Sequence, residues 1–334
     1  MIKKAAASWT EFKNSPRYED KKSGFYRDTK GFVMSLFRAI LIIGIAYVIL
    51  APVIGIVAQS FFSNSDAYSP MVFTIPMQPT LERYERAIVH MDYWNTALNT
   101  IVYTAALTAI QVFVCSMVGY GFARFNFPLK KILFACVVVM IVIPSHTIML
   151  PLYMTFRQFD PLGLVTAFQG MMGMEPKALN LMNSTTPIYL MTIFGCGLRS
   201  GLYIYIFNQF FRGLPKEIEE AAFVDGAGTW YTYFRIMLVN AMPAVITVSV
   251  FSLVWQYNDT FFGRLFLVPD DILLSFKLAS LQINVATIDK VMDSTVQELY
   301  VNAGVVLTLV PVVLMYLVLQ RKFIEGVERS GIVG

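Results

Sequence analysis

The sequence predicts an all-α membrane protein with six transmembrane helices. Charged residues make up only 14% of the 334 residues, whereas hydrophobic residues reach 56%, and a soluble domain typically has about 25% charged residues. The charged residues are also clustered, which leaves long uncharged stretches between them. A helix needs about 20 apolar residues to cross the hydrocarbon core of a bilayer. The uncharged stretches meet this requirement.

Five uncharged stretches, and a sixth interrupted by Arg199 alone, define the predicted spans. In chain order the spans are residues 39–65, 93–123, 132–156, 187–211, 236–258 and 299–320. A soluble protein with six such segments in its core would need far more polar chain than lies between them. We therefore assign residues 39–320 to a transmembrane domain, followed by a tail at 321–334.

The distribution of basic residues predicts the orientation of these spans. Most of the 26 Lys and Arg residues lie in the arm at 1–38, in two alternate loops and in the tail, and basic residues accumulate in cytoplasmic segments. Both termini are therefore expected in the cytoplasm of a bacterial cell, with the chain in its cell membrane. The basic arm can contact anionic lipid headgroups, and nothing in the sequence suggests a nucleic-acid partner.

Groups that would carry catalysis are missing from the sequence. It contains no glycine-rich phosphate loop ending in Lys and Ser or Thr, and its two histidines, His90 and His146, stand apart from any triad or metal pattern. The three cysteines lie in predicted spans without redox or metal spacing. A membrane-embedded hydrolase would need clustered polar groups. An ion-coupled transporter usually carries acids within its spans, and the predicted spans have none.

The loop at 212–240, between the fourth and fifth predicted spans, is the most informative segment. Pro215 and the three glutamates that follow it are typical of a helix start. Gly226 can adopt the positive φ that ends a helix, and Thr229 is expected to cap a second helix. The pattern fits either a simple linker on the membrane surface or a rigid lever that contacts a partner.

Several motifs then resemble the permeases of binding-protein-dependent ABC importers. Glu220-Ala221-Ala222 and Asp225-Gly226-Ala227, with the apolar residues that follow, resemble the EAA motif of that family. Other matching segments resemble the maltose-type, six-span carbohydrate permeases: Asn99-Thr100, Tyr120 to Phe125, Leu150 to Tyr153, Asp160 with Leu162 to Leu164, and Gln320 to Gly334. Val239-Asn240 stands where the family usually has Leu-Pro.

The resemblance implies a type I ABC importer permease fold and a set of partners. These are a homologous second permease, two ABC ATPase subunits that bind ATP and Mg²⁺, and an extracellular solute-binding protein. It also implies that the loop at 212–240 docks on an ATPase and couples hydrolysis to alternating access. The residues implied in coupling are Glu220, Ala221, Ala222, Asp225 and Gly226. The chain itself is expected to have no ATPase site, cofactor or metal.

A carbohydrate is the expected substrate, with an osmolyte or a peptide as the alternative. Sugar binding requires hydrogen-bonding groups and aromatic faces around a cavity. The candidates are Arg199, Tyr203, Trp255, Asn258 and Asp259, although aromatic residues also concentrate at membrane interfaces. Pro144 and Pro151 predict a kink beside such a cavity.

Overall fold

Helices form nearly all the regular structure of the computed structural model, which describes residues 16–269 and 272–331, with side chains for 31–269 and 272–317. Within these residues the only β feature is an isolated bridge between Phe159 and Leu179. The predicted all-α class is therefore confirmed. Residues 1–15 of the predicted arm and 332–334 of the predicted tail lie outside the described residues.

We number the described α-helices of eight residues or more from α1 to α12. They are α1 Pro16–Gln59, α2 Glu82–His90, α3 Tyr93–Arg124, α4 Lys130–Val142, α5 Met149–Arg157, α6 Leu164–Met171, α7 Thr186–Ile193, α8 Ser200–Gly213, α9 Glu217–Val224, α10 Met242–Tyr257, α11 Leu274–Thr287 and α12 Ser294–Gly331. Shorter helical segments are Asn64–Ala67, Ser145–Ile148, Pro161–Gly163, Thr229–Tyr231, the π-helix Thr232–Met237, Leu238–Asn240 and Phe261–Leu265.

Three described helices are long and apolar enough to cross a membrane: Gly31–Gln59 of α1, α3, and Ser294–Leu317 of α12. Two bent pairs would raise the number to five if each pair forms one span. The pair of α4 with Ser145–Arg157 bends by 105°, and the pair of Thr229–Asn240 with α10 bends by 77°. The count of six spans therefore stays a prediction.

The fourth predicted span is not a continuous helix. It is divided into α7 and α8, and Arg199 precedes α8 with a φ of +61°. Gly195 has a φ of +71°, and a Cβ on Gly197 would lie 2.7 Å from Thr192 Oγ1. Residues 187–211, predicted as one span, therefore do not form one unbroken helix. Gly195 and Arg199 both have a positive φ at the break, and glycine adopts this conformation without the steric cost that a side chain adds.

Helix α3 is the central element of the described chain. It packs along α8 and α10, with a buried cluster of Tyr203, Phe207, Phe211 and Tyr233 around its second half. Gly119 lets α3 and α8 approach closely, because a Cβ there would lie 2.6 Å from Phe207 Cβ. The described span of α1, in contrast, has none of its most apolar window buried within the chain.

Candidate functional site: the coupling loop and the outer cavity

Helix α9 ends where the sequence predicts. Gly226 has a φ of +82°, its N–H donates to the Phe223 carbonyl (3.0 Å), and the Ala227 N–H donates to the Ala222 carbonyl (2.9 Å). This pair of bonds is a Schellman motif, which satisfies carbonyls that a helix end leaves open. The predicted positive φ at Gly226 is confirmed.

The second helix of the loop differs from the prediction. Thr229 is its first residue, and Gly228 occupies the cap position without a side chain to donate or accept a bond. The chain then forms the π-helix Thr232–Met237, in which the wider turn replaces α-helical hydrogen bonding. The expected cap at Thr229 is therefore wrong. The 77° bend before α10 follows the Val239-Asn240 pair at which the sequence departs from the family pattern.

The five predicted coupling residues fall on two sides of the loop. Glu220, Ala221, Asp225 and Gly226 are exposed, whereas Ala222 is 5% exposed and packs inward. Large apolar side chains lie beside the exposed group: Val224 is 86% exposed, Trp230 63% and Tyr231 60%. An exposed apolar patch next to acids is typical of a protein interaction surface.

Glu219, which the sequence analysis did not select, is the buried acid of α9. Tyr120 Oη donates a hydrogen bond to Glu219 Oε1 (2.6 Å), and Arg124 Nε lies 2.8 Å from Glu219 Oε2. The Arg124 Nε–H is not directed at an acceptor, so the contact between Arg124 and Glu219 is an ion pair without a hydrogen bond from Nε. Tyr120 and Arg124 belong to a motif that the sequence analysis noted, but spacing alone does not connect them to Glu219.

An open cavity of about 540 Å³ lies at the opposite end of α10. Its walls come from the bend after α4, from the break before α8 and from the end of α10. Arg199, Trp255, Asn258 and Asp259 line it together with residues 140–146, Leu198, Leu202, Thr260 and Phe261. The structure thus brings four of the five predicted pathway residues together. It also places Pro144 at the bend and His146 in the wall, with the His146 ring 4.5 Å from that of Phe261.

Within the cavity, polar groups are partly engaged by the chain itself. The Arg199 guanidinium lies over the Trp255 ring, 4.3 Å from its centroid, which is a cation–π geometry. Asn258 Nδ2 donates to the Val254 carbonyl (2.9 Å). Asp259 Oδ1 accepts the N–H groups of Phe261 (3.1 Å) and Phe262 (3.2 Å), so Asp259 holds the cavity wall.

Tyr203 does not join the other four pathway residues. It is fully buried in the cluster between α3 and α8, and no hydrogen-bond partner for its Oη lies among the described residues. Tyr203 therefore does not line this cavity, and its assignment to the substrate pathway stays a prediction.

A buried group of neutral polar residues, the amide cluster, lies below the cavity and consists of Gln111, Ser200, Ser252 and Gln256. Gln111 Nε2 donates to the Leu198 carbonyl (2.6 Å) and to Ser200 Oγ (3.0 Å). Gln111 Oε1 accepts from Ser252 Oγ (2.7 Å) and Gln256 Nε2 (3.1 Å). The cluster therefore supplies partners to the backbone at the break and holds Arg199 at its position beside Trp255.

The segment after α5 is ordered around Asp160. Asp160 Oδ2 accepts from Thr166 Oγ1 (2.7 Å), and Oδ1 accepts from the Val165 N–H (2.8 Å) at the start of α6. The hydrogen bond from the Thr166 hydroxyl lowers the pKa of Asp160 below its usual value. Partial burial opposes this effect, and the backbone N–H groups of Val165 and Thr166 add to it. Among the described residues, no group of three or more His, Cys, Asp or Glu could hold a metal ion.

The sequence and fold are similar to those of known transporters. The arabinooligosaccharides transport system permease protein AraQ of Halalkalibacterium halodurans is 27% identical, over 87% of this chain and 93% of AraQ. The osmoprotective compounds uptake permease protein GgtD of Synechocystis is 26% identical, over 86% of this chain and 89% of GgtD. A bacterial ABC transporter involved in import of the acidic polysaccharide alginate shares the fold, with a TM-score of 0.64 and 18% identity, over 88% of this chain and 98% of the matched transporter chain.

The family comparison covers more than half of the chain. Residues 115–323, from the second half of α3 into α12, match the binding-protein-dependent transport system inner membrane component. This range contains the loop at 212–240 and all of the residues that line the cavity. The chain therefore belongs to that family, the permease subunits of ABC transporters, and has the type I permease fold.

Proposed function

We propose that the chain is a permease subunit of an ABC importer for carbohydrate. It pairs with a homologous permease, with two ATPase subunits that bind ATP and Mg²⁺, and with an extracellular binding protein. Both termini lie in the cytoplasm, and the tail at 321–334 and the basic arm at 1–38 stay on that side. The observation that carries the proposal is the exposed surface of the loop at 212–240, the coupling loop, in a chain of this family.

The surface fits a cleft on an ATPase. Glu220, Ala221 and Asp225 are exposed together with Val224 and Trp230, so acidic and apolar groups lie side by side. Small residues allow close approach, and apolar anchors ringed by charge are common in interaction surfaces. When the ATPase subunits close, the docked α9 moves, and α8 and α10 move with it because they flank the same loop.

The outer cavity supports a sugar pathway. A pyranose places its apolar face against an aromatic ring and its hydroxyls against polar groups, and Trp255 offers the ring beside Arg199 and Asn258. The Arg199 guanidinium now covers the Trp255 ring, so a sugar that stacks there displaces it. Similarity to AraQ supports an oligosaccharide as the cargo.

Similarity to GgtD favours a second candidate, import of an osmoprotective compound. To separate the two, the full complex is purified through a tag on this chain and placed in proteoliposomes with its binding protein. We expect an arabino-oligosaccharide or maltotriose to stimulate ATP hydrolysis and to be taken up. Stimulation by glycine betaine alone would favour the second candidate, and absence of any co-purifying ATPase would contradict both.

The cavity is tested by Trp255→Ala in the same assay. We expect the sugar concentration for half-maximal uptake to rise roughly tenfold, since loss of one aromatic contact with the sugar is worth about 1.5 kcal/mol. Trp94→Ala removes an exposed tryptophan outside the cavity and serves as the control. Arg199→Leu should lower uptake while the complex still assembles. Normal uptake in both Trp255→Ala and Arg199→Leu would show that the pathway lies elsewhere.

A further inference from the structure

The C-terminal end of α3 holds α9, the coupling helix of the proposed function, through a buried group that we call the charged clamp. It consists of the Arg124–Glu219 ion pair and of Tyr120, which donates a hydrogen bond to Glu219. Both carboxylate oxygens of Glu219 are engaged from α3, Oε1 by Tyr120 and Oε2 by Arg124. The Arg124 and Glu219 side chains are only 7% and 9% exposed. Residues 95 positions apart in sequence therefore meet away from water.

The same end of α3 contacts each part of the coupling loop. Arg124 Nη2 donates to the Leu214 carbonyl (2.8 Å), in the link between α8 and α9. The Tyr120 ring lies edge-on to Phe211 of α8, with centroids 5.3 Å apart, and 5.1 Å from Tyr233 of the π-helix. The segments before, within and after α9 thus meet at one turn of α3.

Burial makes this connection rigid. If α9 moved away from α3, the Glu219 carboxylate and the Arg124 guanidinium would each remain in a partly dry site without a partner, which is strongly unfavourable. Movement of α9 therefore carries the end of α3 with it. In turn α3 carries Gln111 and the amide cluster, which supports the backbone beside Arg199.

We propose that Glu219 and Arg124 are positioning residues that transmit movement of the coupling helix directly to α3, in addition to the covalent route through α8 and α10. This inference rests on the proposed function, in which α9 docks on an ATPase. In this inference, α3 moves together with α9 and changes the position of the residues that line the cavity. Glu219 acts inside the permease, whereas the neighbouring Glu220 faces the partner.

The test uses the complete complex in proteoliposomes and measures sugar uptake per ATP hydrolysed. In Glu219→Gln and Arg124→Gln we expect ATPase co-purification and hydrolysis to continue, while uptake per ATP falls about fivefold or more, a common size for coupling between sites. Lys131→Gln removes an exposed charge from the same cytoplasmic hairpin and should behave as wild type. Arg124→Lys, which keeps the charge, should recover part of the loss.

A purely structural role would lower the amount of complex, with uptake and hydrolysis falling together at an unchanged ratio, and that result would overturn the inference. If neither charge-removing variant accumulates, Tyr120→Phe decides, because it removes one hydrogen bond and leaves the ion pair. A normal ratio in Tyr120→Phe would then count against the clamp. If wild-type chain captures no ATPase, the proposed function fails first, and the inference with it.

Discussion

The charged clamp and the amide cluster hold the same helix by different chemistry. The clamp joins α3 to the coupling loop through an ion pair between Arg124 and Glu219. The amide cluster joins α3 to the broken backbone before α8 through the neutral amide of Gln111. Each cluster supports an interruption of regular helix, and each takes its support from α3.

The position of each cluster along α3 explains the difference. Gln111 lies nine residues before Tyr120, a rise of about 14 Å along a helix, and is fully buried in the interior of the bundle. The clamp lies at the last turn of α3, next to the loop. A charge costs more to bury with depth in the membrane than a neutral amide does. Charge is therefore confined to the end of α3, and neutral hydrogen bonds serve its interior.

The largest expected effect comes from placing a charge in the amide cluster. Gln111→Glu should lower stability by about 2.5–3.5 kcal/mol, the range for an acid at the centre of a membrane helix. It also replaces the amide donor that Leu198 and Ser200 use. The measurement is thermal unfolding of the purified complex in detergent. Gln158→Glu, at an exposed position after α5, is the control. An equal unfolding temperature for the two variants would contradict the difference between the charged clamp and the amide cluster.

A smaller effect is expected at Gly226, where the strain is confined to the backbone. A Cβ at Gly226 or at Gly228 meets no atom within 4 Å, but only Gly226 has a positive φ. Gly226→Val should therefore cost roughly 1–2 kcal/mol in the loop and reduce uptake at normal membrane levels. Gly228→Val should be tolerated. Equal uptake by the two variants would show that the angle after α9 does not matter.

The smallest effect is expected in the segment after α5, away from both clusters. The pKa of Asp160 is lowered in the folded chain by its hydrogen bonds, chiefly from Thr166. Its stabilisation of α6 is therefore complete above the usual aspartate pKa of about 3.9 and is lost as pH falls below it. Labelling of Gly173→Cys, expressed relative to that of a small free thiol at the same pH because only the thiolate reacts, should rise as the pH falls below about 3.9, and Asp160→Asn should raise it already at neutral pH. Glu175→Gln, in the same segment, should change neither value.

Two kinds of feature could be predicted from the sequence: long helices without charged residues, and a glycine with a positive φ at the end of a helix. Helices α1, α3 and α12 follow from stretches without charge, and Gly226 follows from the need for a positive φ at a helix end. The break before α8 was missed because hydropathy averages over it. Gly195 and Gly197 were the available signals, since two glycines within three residues weaken a helix.

The partners of the site residues could not be predicted in the same way. Glu217, Glu219 and Glu220 look alike in sequence, and only the position of Arg124 on a distant helix selects Glu219 for burial. Tyr203 was chosen as an aromatic residue on the fourth predicted span. Its burial in the cluster beside α3 depends on packing between distant helices, which spacing within one span does not show.

Helix α1, whose most apolar window is not buried within the chain, has a consequence for how the protein sits in its bilayer. The uncharged part of this helix, residues 39–59, has 21 residues and is therefore about 32 Å long at 1.5 Å per residue, close to the hydrocarbon thickness of about 30 Å. A bilayer of another thickness requires the helix to tilt or the bilayer to adapt locally. Gln59 at the C-terminal end of α1 accepts a hydrogen bond from Asn302 of α12 (3.0 Å). A change in bilayer thickness therefore acts on α12 through that contact.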